Sequence, residues 1–568
     1  ILVAVCERPD DDTPRLVFAD WCDDHGDADY ARFPRGSAPA PQWRRFPARN
    51  GTPPAPRPRG RPERRPGLGN PTPSGYKPID TLAFTDVVVH GSPCAPKQRP
   101  GARKFGSDNV LPRNRPRRRR RIRYRLTRRH PRHTPSRRTR MTDRAALLAA
   151  VCDRPDDDTP RLVYADLLDD DGDAAQAAFI RTQVELARTS EHHPLWAKCR
   201  QLNPGVIRGW SMVHTLPKPL PNGFAWCGHP DQFRRGFAWL IGALGTEAVA
   251  AGGEELLSLA PIQAVSFDDR ARPDLRALAD SPVLARLRRL EFTTFPLDPD
   301  DLRPLTRSRH AEGLEELAFE NQAVTPDGLG LLAASDLFPR LRALTLSNNA
   351  LPPALLVDAL AAADRPGELR RLTLSLADLP AADAAHLFAL PLAATLEQLD
   401  LSENKLLGPA GVEALVESGL VRRLEVLKLE HTLPGVPGVK ALTATGGLAG
   451  VRWLDLSDNR LGPNGVRLLA ESKNARGLRV LDLSDNPLGD KGAELLAGAR
   501  HLTGLVELNL KDCGITDAGA VALAESPHLG ELVRLDVRDQ GVAARPLGDA
   551  ARRALVERFG AGVAYNDG

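Results

Sequence analysis

From about residue 260 onward, apolar and polar positions recur with a single period. Successive units open at Ile262, Leu287, Leu314, Leu341, Leu369, Leu396, Leu424, Val451, Leu478, Leu505 and Leu532, at spacings of 25 to 28 residues. Each unit carries an alternation such as Leu454-Asp-Leu456 or Leu481-Asp-Leu483. A period of two predicts a short strand with its leucines on one side. A stretch such as Gly465-Val-Arg-Leu-Leu-Ala-Glu471 follows, with apolar residues at i, i+3 and i+4, and this predicts a helix packing one face inward. Pro463 and Asp490 suit the first turns of two such helices. One unit alone cannot bury both elements, so neighbours must stack and their strands must run parallel.

Asn349, Asn404, Asn459 and Asn486 fall where the chain leaves the strand, and Cys513 takes the same place in a later unit. An amide at that turn can both donate to and accept from backbone groups that the turn leaves unpaired, which predicts a structural ladder. Gln322, Ala377, Thr432 and Gln540 depart from the pattern, so the ladder is expected to break at those rungs. The pattern Leu-x-x-Leu-x-Leu-x-x-Asn/Cys-x-Leu, with a helix in each unit of 27 or 28 residues, resembles the ribonuclease-inhibitor type of leucine-rich repeat. The resemblance covers about 262–545 and implies an α/β horseshoe with a parallel inner sheet and outer helices. Eleven strands would give a sheet about 50 Å long. Residues 546–568 read as a C-terminal cap.

Ahead of the repeats a different text appears twice. Residues 148–179 contain Arg154-Pro-Asp-Asp-Asp-Thr-Pro-Arg161-Leu-Val-Tyr-Ala-Asp166, and residues 2–33 hold a truncated copy at a constant offset of 146. Thr142 is expected to cap a first helix, Thr159-Pro160 to open a second that Gly172 ends, and Asp173 to begin a third. The string resembles a short bacterial "repeat-companion" domain found ahead of repeat arrays, which implies a small α-helical module over 141–190. Residues 191–261 would then connect this module to the solenoid and cap it, with Phe237-Ala-Trp-Leu240 as an irregular first strand.

Composition changes the picture between the copies. Residues 34–140 hold 29 Lys+Arg against 4 Asp+Glu, a net +25, with 20 of the 50 prolines. That mixture cannot bury enough apolar surface to offset chain entropy, so a disordered segment is expected. The overall charge of +5 therefore hides a flank at 1–33 of −6 and a remainder from Met141 of −14. The match between the copies stops at Phe33, which reads as a shifted frame or translated non-coding text, with Met141 as a native start. If 34–140 is expressed, it is the segment that would hold nucleic acid, through phosphates.

The seven cysteines include no Cys-x-x-Cys pair, which points to a reducing, cytoplasmic setting rather than a disulfide or zinc framework. No apolar run suits a membrane span. An EF-hand register with Gly172 at its sixth position puts Leu167 and Ala178 at ligand positions, which excludes calcium there. The scattered His192, His193, Cys199, Cys227 and His229 lack zinc spacing. No P-loop, nucleophile elbow or zinc-protease motif is present, so no catalytic residue, metal site or cofactor is expected.

Positions beside the inward leucines form the concave face. Asp400, Asp455, Asp482 and Asp536 share one column there, with Glu430 and Asn509 nearby and Trp453 as an exposed anchor. Like charges about 4.8 Å apart favour a cationic partner. The expected role is a non-enzymatic protein-interaction scaffold for a basic protein partner. The family resemblance also allows a regulator of an enzyme, of the GTPase-activating or nuclease-inhibitor kind.

Overall fold

The computed structural model describes residues 137–190, 193, 194, 196, 220–225 and 232–565, apart from short stretches at 268–273, 294, 322, 350, 364–366, 445 and 541–545. The truncated copy at 1–33, most of the basic segment and Gln322 lie outside the described residues.

Three helices come first: α1 (Arg137–Asp153), α2 (Asp158–Asp171) and α3 (Ala174–Ala187). Because α1 begins at Arg137, Thr142 lies inside it rather than at its start. The cap of α2 is Asp157, whose carboxylate accepts the Thr159 N–H at 2.9 Å, while Thr159 and Pro160 fill the first turn. Gly172 ends α2 in the left-handed region at φ 92°, and Asp173 caps α3 through the Gln176 N–H.

A hairpin of β2 (Phe233–Arg234) and β3 (Phe237–Ala238) follows a short strand β1 (Phe224–Ala225). Phe237 points into the helices, where it packs with Val151, Tyr164, Ala165, Leu168, Ile180 and Val184. Tyr164 meets its ring edge-on at 5.6 Å. Gly236 makes this approach possible: its φ is +82°, and a Cβ there would sit 2.6 Å from the Ile180 Cα. The helical module thus has its own core, which Phe237 of the hairpin completes.

From β4 (Leu240–Ala243) onward the strands run parallel in chain order: β5 (Ala264–Phe267), β6 (Arg289–Thr293), β7 (Glu316–Glu320), β8 (Ala343–Ser347), β9 (Arg371–Thr373), β10 (Gln398–Asp400), β11 (Val426–Lys428), β12 (Trp453–Asp455), β13 (Val480–Asp482), β14 (Glu507–Asn509), β15 (Arg534–Asp536) and β16 (Val563–Ala564). The antiparallel β1 completes a sheet of 14 strands among the described residues. The eleven units of the sequence are β5 to β15, so β1, β4 and β16 extend the sheet beyond the repeats. The fold is an α/β leucine-rich-repeat solenoid, with a parallel inner sheet backed by helices. One continuous apolar core runs from Phe224 to Leu555. Helices such as Pro463–Glu471 and Gly489–Ala497 bury Val466, Leu469, Ala493 and Leu496 against it.

Three of the four turn asparagines bond in the same way from unit to unit. Asn486 Oδ1 accepts the N–H groups of Asn459 and Leu461 at 3.1 and 2.8 Å, and its Nδ2 donates to the carbonyls of Leu456, Leu483 and Ser484. Asn404 and Asn459 reach the preceding unit in this way, and Asn349 Nδ2 donates to the Phe319 carbonyl. Cys513 Sγ donates to the Leu483 carbonyl at 3.1 Å. One position read as a break is an occupied rung. Gln540 Oε1 accepts the N–H groups of Cys513 and Ile515, and its Nε2 donates to the Leu510 carbonyl, because a side chain one methylene longer still reaches. Thr432 stays within its own unit, donating its hydroxyl to the Leu429 carbonyl, so the ladder is interrupted there. Ala377 has no side-chain group to offer, and its N–H is taken up by Asn404 of the next unit.

Candidate functional site on the concave sheet

Strand register builds the site. Asp400 stands opposite Lys428, Lys428 opposite Asp455, Asp455 opposite Asp482, Asp482 opposite Asn509 and Asn509 opposite Asp536. The column is therefore continuous across six strands, with a lysine set into it. Lys428 Nζ lies 3.6 Å from Asp400 Oδ2.

Each acid of the column is also held by its own strand. Asp455 Oδ1 accepts from the N–H and hydroxyl of Ser457 at 3.0 and 2.6 Å, and Asp482 Oδ1 accepts from Ser484 in the same way at 2.9 and 2.7 Å. The free oxygen of Asp482 accepts from Asn509 Nδ2 at 2.7 Å. These bonds fix the carboxylates side by side. Burial and the neighbouring Asp482 push the Asp455 carboxyl up to about 6, against the Ser457 bonds and the Lys428 charge. Glu430, just past the end of β11, is pushed up to about 7 by burial and then by Asp455, Glu403 and Asp400.

Two expected site residues differ from the open face anticipated for them. Asp536 is 1 % exposed, and both of its oxygens are taken by Arg538, with Arg534 3.4 Å away. Those arginines sit two residues to either side, on the same face of the strand, so the charge is neutralised within its own unit. Trp453 is half-buried rather than exposed, and the Lys428 ammonium lies 5.6 Å from its ring centroid.

A second acidic row borders the first and was not singled out from the sequence. Glu403, Asp458, Asp485, Asp512 and Asp539 each immediately precede a rung of the ladder, and each has a φ between 47° and 64°. The left-handed conformation suits Asp and Asn. It also turns each N–H toward the next unit, as when Asp458 donates to the Ser484 carbonyl at 3.0 Å and Asp485 to the Lys511 carbonyl at 2.8 Å. His431 occupies this row and places Nδ1 3.0 Å from Glu403 Oε2 and 3.1 Å from Asp458 Oδ2. The readable signal was the repeated Ser-Asp-Asn and its variants Ser-Glu-Asn and Lys-Asp-Cys.

At the other end of the sheet, the aspartates of the Pro155-Asp-Asp-Asp-Thr string have specific structural uses. Asp157 caps α2, Asp158 accepts from Arg188 and Arg235, and Asp156 pairs with Arg288 of the solenoid. Among the described residues, no group of three or more His, Cys, Asp or Glu side chains is arranged to hold a metal ion, and no helix is long and apolar enough to cross a membrane.

Four stretches, 393–416, 451–470, 476–497 and 501–524, match the family model described as "Leucine Rich repeat". No curated protein matches the chain. Solved structures similar to it include the Rad7 and Elc1 complex of yeast, at 21 % identity over 50 % of this chain and 72 % of that one, with a TM-score of 0.38. An internalin (InlF) of Listeria monocytogenes matches at 17 % identity over 48 % and 74 %, with a TM-score of 0.30. The TLR13–ssRNA13 complex matches at 15 % identity over 50 % and 46 %, with a TM-score of 0.29.

Proposed function

We propose that the protein is a non-enzymatic scaffold that binds a basic protein segment along the concave strands β10 to β14. The observation that carries this reading is the in-register pair Asp455 and Asp482. Two carboxylates are locked side by side on adjacent strands, and one is raised well above the usual carboxylate range. A lysine or arginine from a partner would relieve that repulsion and meet two oriented acceptors at once. Asp400, Glu430 and the rim acids Asp458 and Asp485 widen the negative surface, while Trp453 and Asn509 supply apolar and amide contacts beside it. Asp536 is left out of the contact surface, since its own arginines satisfy it.

A short Lys/Arg peptide titrated into the full chain tests this reading. Its affinity is expected to fall at least tenfold when Asp455→Lys and Asp482→Lys are combined, and to fall steeply with added salt. Equal affinity for the wild-type and doubly substituted chains would overturn the assignment. Binding by Glu430 and Asp455 is also expected to release protons near pH 6.5, because a cation stabilises their ionised forms.

A further inference from the structure

A cleft of about 420 Å³ lies where the helical module meets the first strands of the sheet. Its walls include Arg161 of α2, Trp196, the hairpin residues Arg234 and Trp239, and Arg288 and Arg371 beside or on the sheet. The charges in these walls do not cancel. Arg235 pairs with Asp158, and Arg288 pairs with Asp156 and Glu315. Arg234 lies over the Trp239 ring at 3.4 Å, with Glu316 3.9 Å away.

Arg161 and Arg371 are different. Arg161 is 2 % exposed, and its guanidinium gives one bond, to the Asp157 carbonyl at 3.1 Å. Its Nε meets no acceptor. Arg371 donates Nε to the Gln398 amide oxygen at 2.9 Å. Among the described residues, no carboxylate lies within ion-pair distance of either. An unpaired buried cation is costly unless an anion joins it. Burial, and then the neighbouring Arg235, pushes the Arg161 guanidinium down to about 10, against the charges of Asp158 and Asp156, and its Cζ lies 5.7 Å from the Phe237 ring centroid.

We propose that this cleft binds a small organic anion whose phosphate or carboxylate oxygens are taken by Arg161 and Arg371, with the body of the ligand against Trp196. A guanidinium suits either oxyanion, because its forked donors match two oxygens at once. The volume suits a small molecule, and Arg371 on β9 bounds the cleft beside β10, where the acidic strands begin.

Isothermal titration of the full chain with phenyl phosphate, benzoate and inorganic phosphate tests the proposal. The first two separate phosphate from carboxylate recognition on the same ring, and the third removes the ring. Arg371→Gln is expected to weaken binding of the preferred ring compound at least tenfold while leaving the thermal midpoint of the free protein within a few degrees. Arg161→Leu is expected to abolish that binding. Any anion binding by the basic stretch at 34–140 is common to all three chains, so only the component that responds to the substitutions reports on the cleft. The proposal is overturned if none of the three compounds binds, or if Arg371→Gln binds as the unaltered chain does.

Discussion

Strands β6 and β7 and strands β12 and β13 occupy equivalent places in the repeat, yet their outward charges are arranged in opposite ways. In the first pair Arg289 bonds Glu291 at 2.9 Å and lies 3.7 Å from Glu316, while the Ser266 hydroxyl donates to Glu291. In the second, Asp455 faces Asp482 with no arginine between them, and only the Lys428 charge and the Asn509 amide reach the pair from the neighbouring strands. The rims follow suit. Asn321 and Asn348 bond each other through their amides at 2.9 Å, whereas the later units place Asp458, Asp485 and Asp512 at that position. The cores differ as well, since Phe267, Phe292 and Phe319 stack at 5.2 and 5.6 Å where the later units use leucine. One backbone repeat therefore supports a self-satisfied surface at one end and a charge-strained one at the other. A cationic partner of the kind proposed would relieve strain of that kind.

The largest effects should come from the shared core. Phe292→Ala is expected to cost about 3–5 kcal/mol and Leu481→Ala about 2–5 kcal/mol, measured by denaturant unfolding. If Phe292→Ala were the milder of the two, the aromatic stack would not be what distinguishes the early units. Next comes a matched pair whose signs should differ. Glu291→Gln breaks a buried ion pair and should destabilise by about 3 kcal/mol. Asp455→Asn keeps the Ser457 bonds but removes like-charge repulsion, and should stabilise by about 1 kcal/mol at pH 8. Destabilisation by both would remove the contrast.

Acid titration sharpens the same point. Glu430 rises from 4.5 to about 7 and Asp455 from 3.8 to about 6 in the folded chain. Between pH 4.5 and 7 the folded state thus holds more protons than the unfolded one, and the contribution of these groups to stability falls as pH rises through that window. In the Asp455→Asn, Glu430→Gln double variant that fall should flatten. The smallest effect belongs to Leu376, a half-exposed leucine at φ 54° in the rim row. Leu376→Asn should raise stability by roughly 0.5–1 kcal/mol, because asparagine accepts the left-handed conformation more readily.

The repeat period alone placed eleven strands and set the register of the aspartate column, because stacking allows few alternatives once the leucines are aligned. What escaped the sequence depended on side-chain reach. Arg534 and Arg538 share a strand face with Asp536 by simple alternation, so its neutralisation could have been read. The rung made by Gln540 needed the reach of its extra methylene. The burial of Arg161 and the insertion of Phe237 among the helices depend on contacts spanning more than 50 residues of chain, which no local pattern encodes.

The left-handed residue before each rung recurs in nine consecutive units. It ties the composition of the rim to the length of the molecule. A β-branched or bulky apolar residue is penalised there in every unit, so each unit added to such an array extends the rim by one position that favours a small polar or acidic side chain. The array can lengthen without altering its leucine interior, while its rim gains reach and charge in fixed steps of one strand spacing.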